Sequence, residues 1–119
     1  MKVLLVDDEE KFVSALAKRL LIRGIDAEWT TTIDEALFEI ELETYDLAVL
    51  DVKMPGMNGI ELKRKMEKIN PKLKFILVTG HGSDEDFYMG SKEVFCYIIK
   101  PFKIEALVEK INQAMSEKE

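Results

Sequence analysis

The chain has 119 residues but only one cysteine, one histidine and one tryptophan, and none of its apolar runs is long. A lone cysteine, Cys96, cannot form a disulfide within the chain, so we expect folding in a reducing compartment. The first apolar run, residues 3–6, ends after four residues at two aspartates, too short for a signal-peptide core or a membrane span. We therefore expect a cytoplasmic domain that starts at Met1 and does not insert into a membrane.

Basic residues are also in the minority. The chain has 17 lysines and arginines against 23 aspartates and glutamates, for a net charge of -6. This balance argues against direct binding to nucleic acid or to an anionic membrane surface. The length suits one domain with one core. We predict a single domain over residues 1–119, with 116–119 as a frayed tail.

Short apolar runs alternate along the chain with segments of helical spacing. Runs this short and this continuously apolar predict strands that are covered on both faces of a parallel sheet. The alternation predicts right-handed βαβ crossovers and an α/β fold. Thr32 with Glu35 predicts a capping box, as does Ser83 with Asp86 more weakly, and Gly24 predicts a helix C-cap. The predicted strands are 3–6, 26–30, 47–50, 75–78 and 94–99, and helical spacing is seen in 13–20, 33–40, 62–69, 84–91 and 104–115.

Polar side chains follow the predicted strands at the point where each one ends. In a doubly wound sheet these positions meet at one edge, where ligands bind. Each residue also has a plain structural explanation, since Asp7 or Asp8 could cap a helix and Asp51 could begin a turn. The set consists of Asp7 and Asp8 after the first strand, Asp51 after the third, Thr79 after the fourth and Lys100 after the fifth.

Three carboxylates at one sheet edge would repel each other. Two unit charges at 4 Å cost about 4 kcal/mol at an effective dielectric constant of 20, so a cation is expected. The candidate ligands are all oxygens, without histidine or cysteine, which favours Mg²⁺ over zinc. A carboxylate such as Asp51 can also attack phosphorus to give an aspartyl phosphate. Lys100 would then supply positive charge and Thr79 a hydroxyl donor for the transferred group.

Four segments give the chain a family resemblance over essentially its whole length. They are "LLVDDEE", "DLAVLDVKMPGMNG", "ILVTGHGS" and "YIIKPF", in this order and spacing. Together they resemble the receiver domain of two-component response regulators, of the chemotaxis-receiver type. The resemblance implies a flavodoxin-like, doubly wound (βα)5 fold with a five-stranded parallel sheet of order 2-1-3-4-5. It also implies a cis bond between Lys100 and Pro101, which proline makes chemically reasonable.

The resemblance also implies roles for particular residues. A histidine kinase or histidine phosphotransfer protein would be the phosphodonor. The switch would act on an unknown downstream protein or a fused output domain, through the face formed by the predicted helix 84–91, the fifth strand and the last helix. The domain would not be an enzyme beyond its own phosphotransfer and autodephosphorylation. The implied residues are Asp51 as acceptor, Asp7, Asp8, Asp51 and the Lys53 carbonyl for Mg²⁺, Lys100 for the phosphoryl group, Thr79 and Tyr97 as switch residues, and Lys53 and His81 for tuning dephosphorylation.

Two other functions fit the sequence less well, and one segment departs from the family pattern. An aspartate-nucleophile phosphohydrolase usually carries a second acid two residues after the nucleophile, where this chain has Lys53. A flavin-binding protein would need a glycine- and hydroxyl-rich loop after the first strand, where this chain has "DDEEK". Between Ser83 and Tyr97 there are thirteen residues, one fewer than is usual in the family, which predicts a short, shifted or loose fourth helix. The chain is expected to be either a stand-alone receiver or one domain of a larger regulator.

Overall fold

The structure, a computed structural model, describes residues 1–80 and 96–116. Five parallel strands make up the main sheet: β1 (Lys2–Val6), β2 (Asp26–Thr30), β3 (Leu47–Asp51), β6 (Lys74–Thr79) and β7 (Cys96–Ile99). Their order across the sheet is β2-β1-β3-β6-β7. The remaining strands, β4 (Lys53–Met54) and β5 (Met57–Asn58), pair with each other in a separate antiparallel hairpin.

Four helices of the described residues cover the two faces of the sheet: α1 (Glu10–Ile22), α2 (Ile33–Leu42), α3 (Gly59–Ile69) and α4 (Ile104–Ser116). Side chains of α1 and α4 pack on one face, in a buried cluster that includes Leu20, Val49 and Ile111. Side chains of α2 and α3 pack on the other face, in a cluster that includes Leu50 and Met66. Because both faces are covered, β3 is buried along its whole length, as its continuous apolar sequence predicts.

The flavodoxin-like fold predicted from the sequence is confirmed. The main-sheet strands follow one another in the expected spatial order. The order β2-β1-β3-β6-β7 is the predicted order 2-1-3-4-5, because the hairpin of β4 and β5 adds two strands between the third and fourth members of the sheet. The sequence predicted only a turn in this segment. Gly56 has a φ of +90° after Pro55, which allows a turn tight enough for two-residue strands to pair.

The predicted helix ends are largely confirmed. Gly24 follows α1 with a φ of +82°, and the Lys100–Pro101 bond is cis. The Thr32 hydroxyl accepts a hydrogen bond from the Glu35 N–H at 3.2 Å, as a capping box requires. The Glu35 carboxylate, however, accepts from the N–H of Thr31 at 3.1 Å. The backbone of Thr31, more than that of Thr32, therefore supplies the second bond of the box, and both lower the pKa of Glu35.

Some predictions lie outside the described residues. They are the helix at 84–91, the cap formed by Ser83 and Asp86, the first two residues of the strand predicted at 94–99, His81 and the end of the frayed tail. Within residues 1–80 and 96–116, no helix has the length and apolar character needed to cross a membrane.

Candidate functional site

The two inner carboxylates of the site are placed by neighbouring strands. Asp7 directly follows β1 and Asp51 is the last residue of β3, while Val6 and Leu50 are register partners in these strands. The Asp7 N–H donates to the carbonyl of Thr30 at 3.2 Å, which fixes the backbone after β1. Both side chains are largely buried, with 4% of Asp7 and 8% of Asp51 exposed. The strands thus hold two acids side by side at the edge of the core.

Asp8 completes a cluster of three acids. Asp7, Asp8 and Asp51 each offer a carboxylate oxygen, and these oxygens all lie within 4.8 Å of one another. Asp8 is exposed, so the cluster opens to solvent on its side. Hard oxygen ligands at this spacing, without histidine or thiolate, suit Mg²⁺, which also retains water ligands readily. The residues present therefore fit the cation that the sequence predicts.

Lys100 places a positive charge beside the cluster. Its ammonium nitrogen lies 2.8 Å from Asp7 Oδ2, 2.9 Å from Glu9 Oε1 and 3.8 Å from Asp51 Oδ2. The same nitrogen lies 4.6 Å from the centre of the Phe12 ring, in a cation–π contact. Lys100 is therefore shared between the cluster and a neighbouring acid. The sequence did not identify Glu9 as part of this arrangement, although it continues the acidic run after the first strand.

Burial and charge shift the pKa values of Asp51 and Lys100. Burial raises the pKa of the Asp51 carboxyl, the Lys53 N–H opposes that rise, and the nearby charge of Asp7 adds to it. For Lys100, burial alone would lower the pKa, but hydrogen bonds to Asp7 and Glu9 outweigh it and the pKa is raised. Lys100 is thus held protonated, while the negative charge on Asp51 is only partly compensated. A partly compensated acid beside two others is a favourable place for a cation or an electrophile.

The segment after Asp51 is fixed by hydrogen bonds on both sides of the hairpin. The Lys53 N–H donates to Asp51 Oδ1 at 3.1 Å, and the Gly59 N–H donates to the Val52 carbonyl at 3.1 Å. The Asn58 side chain caps α3 by accepting from the Glu61 N–H at 2.9 Å. A Cβ on Gly59 would lie 3.0 Å from the Val52 Cα, so only glycine fits there without a shift. The Asn58 cap was missed in the sequence, although Asn followed by Glu three residues later is a recognisable signal.

Thr79 and Tyr97 share one face of the sheet. Leu77 pairs with Tyr97 and Thr79 pairs with Ile99, so Thr79 lies diagonally beside Tyr97. The Thr79 hydroxyl is buried and has no hydrogen-bond partner within residues 1–80 and 96–116. Tyr97 is half-buried against the core of the α2 and α3 face. The Lys100 N–H donates to the Thr79 carbonyl at 2.8 Å, which places Thr79 next to Lys100.

The structure therefore brings together most of the predicted site residues. Asp7, Asp8, Asp51 and Lys100 form one group, and Thr79 adjoins it through the backbone of Lys100. The Lys53 N–H touches Asp51, while the predicted metal-binding role of the Lys53 carbonyl stays a prediction. His81 lies outside the described residues. Together, fold and site define a doubly wound α/β protein with an acidic, cation-compatible site at the carboxyl edge of its sheet.

Comparisons with known proteins identify the family. The family model of the response regulator receiver domain matches residues 3–112. The C4-dicarboxylate transport transcriptional regulatory protein DctD of Rhizobium meliloti (strain 1021) is 32% identical over 116 residues, covering 94% of this chain and 25% of that protein. The chain belongs to the response regulator receiver domain family, as the sequence motifs predicted.

Solved structures agree with this assignment. A CheY-like receiver domain protein from Methanospirillum hungatei JF-1 is 34% identical with a TM-score of 0.82, covering 94% of this chain and 90% of that one. The response regulator TrrA of Thermotoga maritima, solved in complex with Mg²⁺ and BeF, is 30% identical with a TM-score of 0.82, covering 95% and 97%. The chain spans about a quarter to a half of the length of the curated relatives it matches. The family is a signalling switch rather than a classical enzyme.

Proposed function

We propose that this domain accepts a phosphoryl group on Asp51 and changes its surface in response. The observation that carries the proposal is the charge arrangement at Asp51. This buried acid lies within 4.8 Å of two other carboxylate oxygens and 3.8 Å from the Lys100 ammonium, on a rigid strand end. A nucleophile of this kind must be fixed in place, and its partners must neutralise charge as it reacts.

The two oxygens of Asp51 have different neighbours, which supports giving them different tasks. Oδ1 accepts the Lys53 N–H, so we assign Oδ2, on the Lys100 side, as the attacking oxygen. Oδ2 attacks the phosphorus of a phosphohistidine, the P–N bond breaks, and the imidazole leaves with the bonding electron pair. The product is an acyl phosphate on Asp51. The Lys100 ammonium gives up part of its contact with Asp7 and Glu9 and pairs with the oxygens of the phosphoryl group.

The acidic cluster supports this reaction by holding a cation. We assign Asp7, Asp8, Asp51 and the Lys53 carbonyl to Mg²⁺. When bound, the cation supplies positive charge that stabilises the phosphoryl oxygens. Asp7 also orients Lys100 through the contact of 2.8 Å. The side chains of Lys53 and His81 are assigned to tuning the hydrolysis of the acyl phosphate.

Thr79 and Tyr97 provide a route from the site to the surface. The buried Thr79 hydroxyl can donate to a phosphoryl oxygen and gain the partner it lacks in the described part of the chain. Because Tyr97 lies diagonally beside Thr79 on the same face, a movement of Thr79 alters the space available to the tyrosine ring. The new contact favours one of two arrangements of this face, which is how a local charge change produces a distant signal.

The partners follow from the chemistry of the family. The phosphodonor is a histidine kinase or a histidine phosphotransfer protein. The signal passes to a downstream protein or to a fused output domain, through the face that includes β7 and α4. The curated relatives are two to four times longer than this chain, so their output activities are not carried over to it.

The test is labelling by acetyl phosphate in the presence of Mg²⁺. We expect one phosphoryl group per wild-type chain and none in Asp51→Asn. The matched control is Asp34→Asn, which removes an exposed acid of α2 that lies outside the cluster and should label normally. Undiminished, stoichiometric labelling of Asp51→Asn would sink the assignment.

A further inference from the structure

A second surface feature lies at the opposite side of β2 from β1. β2 is an edge strand of the main sheet, and within the described residues no further strand pairs with its outer side. A groove of about 660 Å³ runs between the end of β2, the start of α1 and the first two turns of α2. This volume is in the range that binds ligands and side chains of partners. None of the residues assigned to the acidic cluster lines it.

The groove is strongly acidic. Its nine lining residues include five carboxylates and no basic group, while the whole chain has a net charge of -6. Two of these acids are engaged locally, since Glu35 accepts from the Thr31 N–H and Glu39 accepts from the Tyr45 hydroxyl at 2.6 Å. The other three are exposed and form no salt bridge within the described part of the chain: Glu10, Glu28 and Asp34.

Two aromatic side chains lie among these acids. Trp29 is 39% exposed and Phe38 is 62% exposed, and both line the groove. Ring faces attract lysine and arginine side chains, most strongly at tryptophan. Thr30 also lines the groove, and its buried hydroxyl has no hydrogen-bond partner within residues 1–80 and 96–116. One other explanation for charged residues on an edge strand is that they prevent aggregation. That explanation does not account for the large exposed aromatic rings beside them.

We propose that this β2–α2 groove binds an extended, lysine- or arginine-rich segment of a partner protein. The carboxylates complement cationic side chains, the rings pack on their aliphatic stems and charged heads, and the unpaired edge of β2 offers backbone groups to an extended chain. Binding uses residues other than Asp51 and its neighbours. The proposal therefore stands or falls independently of phosphoryl transfer.

Trp29 allows a direct test because it is the only tryptophan of the chain. Its fluorescence is recorded while an oligo-arginine peptide is added at low ionic strength. We expect a saturable change that weakens as salt is raised, and no change with an oligo-glutamate peptide. Glu28→Gln combined with Asp34→Asn should weaken binding about tenfold, since it removes two charge pairs from the groove. Phe38→Ala should also weaken binding.

A matched control separates the groove from general attraction. Glu41→Gln combined with Glu109→Gln removes the same charge from two exposed positions that do not line the groove. We expect this variant, and Asp51→Asn, to bind the peptide as the wild type does. Equal weakening in both double variants would overturn the proposal, as would calorimetric binding without a change at Trp29. Concentration-dependent dimerisation without peptide, abolished by the groove variant alone, would assign the groove to a second copy of the chain instead.

Discussion

Replacing Asp51 by asparagine should stabilise the domain when no divalent cation is bound. The carboxylate oxygens lie within 4.8 Å of one another, so at an effective dielectric constant of 20 each repulsion between two carboxylates is at least about 3.5 kcal/mol. Removing the charge of Asp51 relieves its repulsion with Asp7 and Asp8. It also loses the attraction to Lys100 at 3.8 Å, which is about 4 kcal/mol by the same rule. Asp8 is exposed, so its share is reduced by solvent, and a net gain of about 1 to 2 kcal/mol remains.

The gain should depend on pH with a definite sign. Burial and the neighbouring acids raise the pKa of Asp51 in the folded state above its ordinary value of 3.8. The ionised carboxylate therefore costs stability above the folded pKa, and this cost disappears below the unfolded value. The advantage of Asp51→Asn is thus largest at neutral pH and shrinks as the pH falls towards 3.8.

Thermal unfolding with and without MgCl₂ measures the effect. At neutral pH with a chelator we expect the variant to melt about 4 to 8 °C above the wild type. Added Mg²⁺ should raise the melting temperature of the wild type more than that of the variant, because the cation binds the folded wild-type cluster. Asp26→Asn, which changes an exposed strand residue outside the cluster, should change stability little. A variant less stable than the wild type in chelator would refute the claim that the charge at Asp51 is only partly compensated.

Three further substitutions test other parts of the structure. Lys100→Met should slow labelling by acetyl phosphate at least about tenfold, because it removes the charge that neutralises the transferred group; an unchanged rate would remove Lys100 from the reaction. Tyr45→Phe should cost about 1 to 2 kcal/mol in urea unfolding, because it removes the bond of 2.6 Å to Glu39. Burial, and then the hydrogen bond to Glu39, raises the pKa of Tyr45 above its ordinary value of 10.0. The wild type should therefore lose stability as the pH rises above 10.0, because the hydroxyl ionises more easily in the unfolded chain. Tyr45→Phe should not show this loss of stability. Gly59→Ala should cost about 1 to 3 kcal/mol, because its Cβ would press on the Val52 backbone; wild-type stability in this variant would show that the contact relaxes freely.

The sequence predicted the structure best where the apolar pattern of a strand and the polar residue at its end indicate the same arrangement. Apolar runs predicted four of the main-sheet strands, and a weaker signal at 26–30 predicted β2, which is mostly exposed at the edge of the sheet. The ends of those strands predicted which acids would meet. Asp7 and Asp51 could be placed side by side because parallel strands share one carboxyl edge. The cap at Thr32 could also be predicted, because an N-cap hydroxyl bonds to a backbone N–H only a few residues away in the sequence.

What could not be predicted depends on contacts between distant segments. Glu9 meets Lys100 across 91 positions of the chain, and no local pattern specifies that pairing. The hairpin after Asp51 was missed because two-residue strands are too short to show alternation, so the segment looked like a simple turn. The β2–α2 groove was not predicted because its acids lie on three separate elements, α1, β2 and α2, which come together only in the folded chain. Trp29 accordingly received no role from the sequence.

The central claim is that Asp51 is the residue that carries the phosphoryl group. The direct measurement is to treat the wild-type protein with acetyl phosphate and Mg²⁺, reduce it with borohydride and sequence the peptides by mass spectrometry. Borohydride converts an aspartyl phosphate to homoserine, so the account predicts homoserine at position 51 and aspartate at positions 7 and 8. Homoserine at position 7 or 8, or a stable phosphate on a hydroxyl such as that of Thr79, would contradict it.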